Sequence, residues 1–119
     1  MTDLAAIIAL RDKVARLKEL DDASFCAVAD ALLPVGDWRF DQRGLSTQMR
    51  QYVRAEAWLS AVDALRTLVL PEAHFTLDLA SLTVWDADAS PTGPIGWGQT
   101  APLAYLLAVL NGVIAKETK

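Results

Sequence analysis

A glycine-rich stretch near the C-terminus holds the residues that most resemble a chemical motif. In GPIGWGQT, Gly93, Gly98 and Thr100 match the register of the phosphate-binding loop G-x-x-x-x-G-K-[ST]. Gln99 stands where that loop has the lysine that reaches the β- and γ-phosphates, so the main positive charge is missing. No βαβ pattern surrounds the stretch. We favour a plain loop that enters a capped helix, and we keep a small-ligand site in loop 93–100 as an alternative.

A second group of residues offers oxygen atoms. Asp86 and Asp88 bracket Ala87, and hydroxyl groups follow at Ser90 and Thr92, a spacing that could serve a hard cation. The pattern does not continue as an EF-hand, because no glycine follows at the turn and no glutamate closes the loop. We therefore expect solvated loop carboxylates and no metal site.

The chain has one histidine and one cysteine, which restricts both metal binding and nucleophilic catalysis. A structural zinc site needs about four Cys or His ligands, and a single cysteine forms no intramolecular disulfide. His74 could pair with a nearby carboxylate, but no nucleophile has an identifiable place beside it. Cys26 lies in an apolar helical pattern, which predicts a buried and inert thiol. We expect no catalytic residue, no cofactor and no enzyme activity.

The distribution of charge indicates the kind of partner. Eleven Lys and Arg against fifteen Asp and Glu give a net charge of −4 over 119 residues, which argues against binding along a nucleic acid. Nine of the basic groups and ten of the acidic groups fall in residues 1–66, whereas residues 67–115 hold four acids and no Lys or Arg. The second half should present an acidic surface that could face a basic partner.

Four tryptophans are many for this length. Trp38, Trp58 and Trp85 lie in strand or helix patterns, which favours core positions for them. Trp97 stands between two glycines in the loop, where nothing local determines its burial. It either covers the neighbouring hairpin or projects as an interaction hot spot.

Apolar residues recur at helical spacing in four segments, each with a starting cap or a stop signal. The predicted helices run from Leu4 to near Leu20, from Asp21 and Asp22 to the residues before Pro34, from Ser46 to the residues before Pro71 with residues 56–68 inside it, and onward from Thr100. The first two helices should pair as a hairpin.

Alternation of apolar and polar residues predicts short strands at residues 38–40, 75–79 and 82–86, the last two forming a β-hairpin around Ala80 and Ser81. Residues 89–98 are rich in glycine and proline and are expected to be a loop. The predicted fold class is α+β, a small antiparallel sheet of about three strands packed against about four helices. We expect one domain over residues 1–119, with a helical hairpin over 1–34 and a strand, helix, hairpin and C-terminal helix over 35–119.

The N-terminal stretch MTDLAAIIALRDK lacks a positively charged leader, and its apolar part covers only residues 4–10. It has the pattern of neither a signal peptide nor a membrane span. We expect the protein in the cytoplasm, with no membrane partner.

The stretch AVDALRTLVLPEAHFTLDLASLTVWDAD, followed by GWGQTAPLAYLLAVLNGVIAKE, resembles small phage and prophage proteins of the phage ABA-sandwich domain family. Their pattern is a helix ending in a Leu-Val-Pro-like segment, an aromatic-rich hairpin, a glycine-rich turn and a TPALALxxAxLxA-like helix. The last element is matched best by Thr100, Ala101, Pro102, Leu103, Ala104 and Leu106. Glu72-Ala73-His74 departs from the Gly-Trp that usually follows the proline. The resemblance implies a phage-encoded, non-catalytic α+β protein, and it brings no catalytic residues.

The leading hypothesis is a phage accessory protein that acts by protein–protein contact in the host cytoplasm, and its specific version is inhibition of a host defence component. The hairpin and the following loop would form the contact surface for a host or phage protein, with no nucleic acid involved. Its expected residues are Trp85, Asp86, Asp88 and Trp97. The alternatives are a virion or assembly component and the small-ligand binder that uses loop 93–100.

Homodimerisation is a further expectation, because two predicted helices carry more apolar residues than one narrow stripe requires. These residues are Ile7, Ile8, Leu10, Leu107, Val109 and Leu110. A helix fully covered within one chain would show the same pattern.

Overall fold

Two short helices open the chain in a computed structural model that describes residues 3–33, 44–87 and 93–118. Helix α1, Leu4–Val14, begins at Asp3, whose carboxylate accepts a hydrogen bond from the backbone N–H of Ala6. Helix α2, Asp22–Leu32, begins at Asp21, whose carboxylate accepts from the backbone N–H of Ser24. The two helices pack together, as predicted.

Helix α1 is shorter than the sequence pattern predicted, since it ends at Val14 and not near Leu20. The backbone N–H groups of Arg16 and Leu17 bond to carbonyls three residues back, a tighter turn than the α-helix allows. The chain leaves the helix there, and both Val14 and Leu20 are buried. The strand predicted at residues 38–40 lies outside the described residues, and so do Trp38 and Asp88.

The single helix predicted from Ser46 is in fact two, α3 over Gly44–Arg54 and α4 over Trp58–Val69. The break is a Schellman-type end, in which Ala57 N–H bonds to the Tyr52 carbonyl and Glu56 N–H bonds to the Val53 carbonyl. Glu56 has a φ of 55°, the left-handed conformation that this type of helix end requires. The described residues therefore contain five helices, one more than predicted, because one helical pattern covers two of them.

The three strands form an antiparallel sheet in the order β1-β2-β3. Strands β1, Phe75–Asp78, and β2, Thr83–Asp86, form the predicted hairpin. Both are slightly shorter than expected, because Leu79 and Leu82 lie in the turn and Leu82 has a φ of 53°. Strand β3, Gly96–Trp97, pairs with β2 inside the segment predicted as a loop, so that prediction is wrong for these two residues.

Helix α5, Ala101–Glu117, is the centre of the fold. Thr100 caps the helix as predicted, because its side-chain hydroxyl accepts a hydrogen bond from the backbone N–H of Leu103 at 3.4 Å. The elements that pack against α5 are α1, α4, β2 and β3. Its buried side chains are Leu103, Ala104, Leu106, Leu107, Ala108, Val109, Leu110 and Val113. The class is α+β, five helices with the sheet packed against α5, as the sequence predicted at this level.

The apolar residues of α5 that suggested a dimer are covered within one chain. Leu107, Val109 and Leu110 are fully buried, as is Ile7 on α1, whereas Ile8 and Leu10 are partly exposed. The α5 surface therefore gives no support to dimerisation. Across the described ranges, every helix is too short or too polar to cross a membrane.

Candidate functional site

The sheet has one face against α5 and one face toward solvent. Side chains alternate along β2, so Thr83 and Trp85 point outward while Val84 points to α5 and is 1% exposed. Trp97 lies opposite Thr83 in the β2–β3 register and shares its face. Because Trp85 is two residues from Thr83 on β2, Trp85 and Trp97 are diagonal neighbours on this face. Their side chains are 39% and 50% exposed.

A polar chain fixes one of these two indoles. The Trp85 Nε1–H donates to Thr83 Oγ1 at 3.2 Å, and Thr83 Oγ1 lies 2.6 Å from Ser81 Oγ in a further hydrogen bond. The Nε1–H group of Trp85 is thereby hydrogen-bonded on the outer face of the sheet, and the apolar faces of the ring remain for a partner to contact. An aromatic surface held in this way loses little conformational entropy when it meets a partner.

The same face carries a carboxylate. Asp78 pairs with Thr83 in the hairpin register, so Asp78, Thr83 and Trp97 form one row across the three strands. Asp78 Oδ1 accepts hydrogen bonds from the backbone N–H groups of Ala80 at 2.9 Å and Ser81 at 3.3 Å, which lower the pKa of this carboxyl below its ordinary value. We call Asp78, Thr83, Trp85 and Trp97 the tryptophan face.

The structure brings together only part of the surface expected from the sequence. Trp85 and Trp97 meet on the tryptophan face, so the expectation of a core position for Trp85 is wrong. Asp86 ends β2 on the side of Val84, opposite to the two indoles, and Asp88 lies outside the described residues. Trp58 does pack against the main core, with its ring centroid 5.8 Å from that of Phe25.

Sequence reasoning missed Thr83 and Asp78 as members of this face. The period-2 alternation along β2 placed Thr83 beside Trp85 and could have identified it. The position of Asp78 depends on the hairpin register, which is set by a turn without a strong sequence signal.

A second feature is a groove of about 390 Å³ on the other side of the sheet, between α3, α4, β1 and α5. It combines polar groups with apolar walls. The lining residues are Gln48, Tyr52, Leu59, Ser60, Asp63, Ala64, Thr67, Leu77 and Tyr105. Helix periodicity explains the α4 members, because residues 60, 63, 64 and 67 follow one face of that helix.

Three side chains form a hydrogen-bonded cluster at this groove. The Tyr105 hydroxyl donates to Asp63 Oδ1 at 2.6 Å and accepts from Arg66 Nε at 2.9 Å, which joins α4 to α5. The other Arg66 nitrogens donate to the carbonyls of Leu70 and Ala73 and to Thr67 Oγ1. The Arg66 side chain is 17% exposed, against 58% for Asp63.

The cluster changes the acidity of its phenol. Burial raises the pKa of Tyr105 from 10.0 to about 12, and the hydrogen bond to the Asp63 carboxylate adds to this rise. The hydroxyl therefore stays protonated at neutral pH and acts as a hydrogen-bond donor. A phenol with this pKa is a poor general base and a poor nucleophile near pH 7.

Two glycines of loop 93–100, Gly96 and Gly98, have a packing role. A Cβ on Gly96 would overlap the Ala104 carbonyl oxygen and lie 2.7 Å from the Ala108 Cβ, and a Cβ on Gly98 would lie 2.9 Å from the Ala104 nitrogen. Both glycines allow the chain to approach α5 closely. Close packing thus accounts for two of the glycines in the GPIGWGQT stretch.

The remaining candidates form no cluster. His74 is exposed beside the start of β1, and Cys26 is partly exposed, with its Sγ–H donating to Asp22 Oδ1 at 3.3 Å. The predicted burial of Cys26 is therefore incomplete. Within residues 3–33, 44–87 and 93–118, no three His, Cys, Asp or Glu side chains lie together in a way that could hold a metal ion.

Comparison of the chain with protein-family models, with curated proteins and with solved structures gives no match. The residues themselves therefore carry any functional inference.

Proposed function

We propose that this protein acts by protein–protein contact through the tryptophan face, as a non-catalytic phage accessory protein in the host cell. The observation that carries the proposal is the pair Trp85 and Trp97, which lie as neighbours on the solvent-facing side of the sheet and are 39% and 50% exposed. Tryptophan is among the residue types most enriched at binding hot spots, and these fractions of Trp85 and Trp97 stay in contact with solvent in the folded chain. The phage origin rests on the resemblance to the phage ABA-sandwich domain.

The partner surface should be basic. Asp78 lies in the same row as Trp97, and residues 67–115 contain four carboxylates and no Lys or Arg. An arginine or lysine of the partner can stack on an indole and pair with Asp78 at the same time. A host defence component with a basic surface is the specific partner that we propose.

The proposal can be tested by affinity capture from host lysate followed by mass spectrometry. The tagged wild-type protein is compared with a Trp85→Ala, Trp97→Ala double variant. Leu59→Ala is the matched control, because Leu59 is 39% exposed, like Trp85, but lies on α4 at the groove. We expect a near-stoichiometric partner that the wild type and the control retain and that the double variant loses, with affinity reduced roughly 30-fold or more.

A second variant tests the charge. Asp78→Asn keeps an oxygen that accepts from Ala80 and Ser81 but removes the negative charge, so the partner should bind more weakly and with a smaller dependence on salt. A partner that the double variant retains in full, or the absence of any captured partner, would contradict the proposal.

A further inference from the structure

The groove between α3, α4, β1 and α5 is open to solvent and large enough for a small molecule. Its volume of about 390 Å³ falls at the lower end of the range for ligand pockets. Tyr52, Leu59 and Leu77 supply apolar wall, and Ala64 leaves room between them. The groove lies on the opposite side of the sheet from Trp85 and Trp97, so it is separate from the proposed protein contact.

The charge that a ligand meets in this groove is negative. Asp63 keeps 58% of its side chain exposed, whereas the Arg66 guanidinium is 17% exposed and directs its nitrogens to protein acceptors. Within the part of the chain that the structure describes, the Asp63 carboxylate makes two contacts, and both use Oδ1: the 2.6 Å bond from Tyr105 and the 3.5 Å ion pair with Arg66 Nε. Oδ2 takes part in neither contact and can accept a hydrogen bond from a ligand.

An anionic ligand does not fit this arrangement. A phosphate or carboxylate would meet the exposed Asp63 carboxylate first, while the positive charge of Arg66 is committed to the backbone carbonyls of Leu70 and Ala73. An organic ammonium group is attracted to the groove, because its N–H groups can form charge-assisted hydrogen bonds to the Asp63 carboxylate. The ring of Tyr52 on the facing wall adds an aromatic surface for an apolar or cationic group.

We propose that this groove binds a small organic amine, with its ammonium group on Asp63 and its aromatic or alkyl part between Tyr52, Leu59 and Leu77. Ser60 also lines the groove and offers a further hydroxyl acceptor for the ammonium, whereas the Thr67 hydroxyl already accepts from Arg66 and donates to the backbone carbonyl of Asp63. The hydroxyl of Tyr105 holds Asp63 in place, which makes Tyr105 a positioning residue.

The test is a titration of the isotope-labelled protein at pH 7, followed by two-dimensional NMR, with three probes of nearly equal shape: benzylamine, benzyl alcohol and benzoate. We expect saturable shifts from benzylamine at α4 and around Tyr105, roughly tenfold weaker binding of benzyl alcohol, and no saturable binding of benzoate. Equal binding of benzylamine and benzyl alcohol to the wild-type protein, or no saturable binding of benzylamine, would overturn the proposal.

Two variants test whether the negative charge that binds the ammonium group of benzylamine belongs to Asp63. Asp63→Asn should weaken benzylamine binding roughly tenfold and leave benzyl alcohol unchanged. Asp12→Asn is the matched control, because Asp12 is also a helical carboxylate, 54% exposed and paired with a neighbouring arginine, Arg11. Unchanged binding of benzylamine to Asp63→Asn would overturn the assignment. The tryptophan-face proposal is independent of either result, since its own test uses other residues.

Discussion

The two faces of the three-stranded sheet are determined by different physical requirements. On the inner face, Val84 and Gly96 lie against Ala104 and Ala108 of α5, and the distance between sheet and helix restricts the size of each side chain. On the outer face, Trp85 and Trp97 contact solvent over much of their surface. Packing therefore explains the inner residues fully and the outer tryptophans only in part, because 39% of Trp85 and 50% of Trp97 remain in contact with solvent.

The largest effect is expected from a single methyl group on the inner face. Gly96→Ala would place a Cβ against the Ala104 carbonyl oxygen and 2.7 Å from the Ala108 Cβ, so strand and helix must separate. We expect the free energy of unfolding to fall by about 3 kcal/mol, measured by urea denaturation. Gly98→Ala should have a smaller effect, because its nearest contact would be 2.9 Å. A change within about 0.5 kcal/mol for Gly96→Ala would show that the inner face tolerates larger residues.

A smaller effect is expected from the polar link beside the inner face. Tyr105→Phe removes the bond to Asp63 and the bond from Arg66 while it keeps the edge contact with Phe75, whose ring centroid lies 6.4 Å away. We expect a loss of about 2 kcal/mol in the free energy of unfolding, because two hydrogen bonds of the partly buried link are lost and Arg66 Nε keeps only its 3.5 Å contact with Asp63 Oδ1. Tyr52→Phe makes the same chemical change on the facing wall of the groove and should alter stability by less than about 0.5 kcal/mol. Equal losses in the two variants would contradict this assignment.

The same cluster predicts a dependence on alkaline pH. Because the pKa of Tyr105 is raised from 10.0 to about 12, the folded state favours the protonated phenol, and this contribution to stability is fully present below pH 10. It is lost as the pH rises through about 12. The difference in ultraviolet tyrosinate absorbance between the wild type and Tyr105→Phe should accordingly titrate near pH 12 and not near pH 10.

Local sequence signals predicted those elements whose formation depends on residues close in sequence. The start signals at Asp21 and Asp22 and at Thr100 identified two helix starts, and alternation identified the hairpin. The end of α3 was missed because Glu56 occupies the left-handed position that glycine usually fills, so no stop signal appears in the sequence.

Features that depend on contacts distant in sequence could not be predicted in this way. Strand β3 is two residues long and exists because Gly96 packs on α5 while its neighbour pairs with β2. Asp63 and Tyr105 are brought together by the packing of α4 on α5, across 42 residues of sequence. Their proximity has no periodic pattern, so the groove was not among the predicted sites, whereas exposure of Trp97 was one of two stated possibilities.

The smallest effect per residue is expected on the outer face, from Trp85→Ala and Trp97→Ala made singly. The two side chains are 39% and 50% exposed, so we expect each substitution to lower the free energy of unfolding by about 1 kcal/mol in urea denaturation. Val84→Ala, one residue away on the inner face and 1% exposed, should cost about 2 kcal/mol although it removes far fewer atoms. If the smaller substitution causes the larger loss of unfolding free energy, Val84 stabilises the fold by packing, whereas the tryptophans are available to contact a partner. If each single variant cost more than Val84→Ala, the tryptophans would be part of the structural framework, and the tryptophan face would lose its claim to be a binding surface.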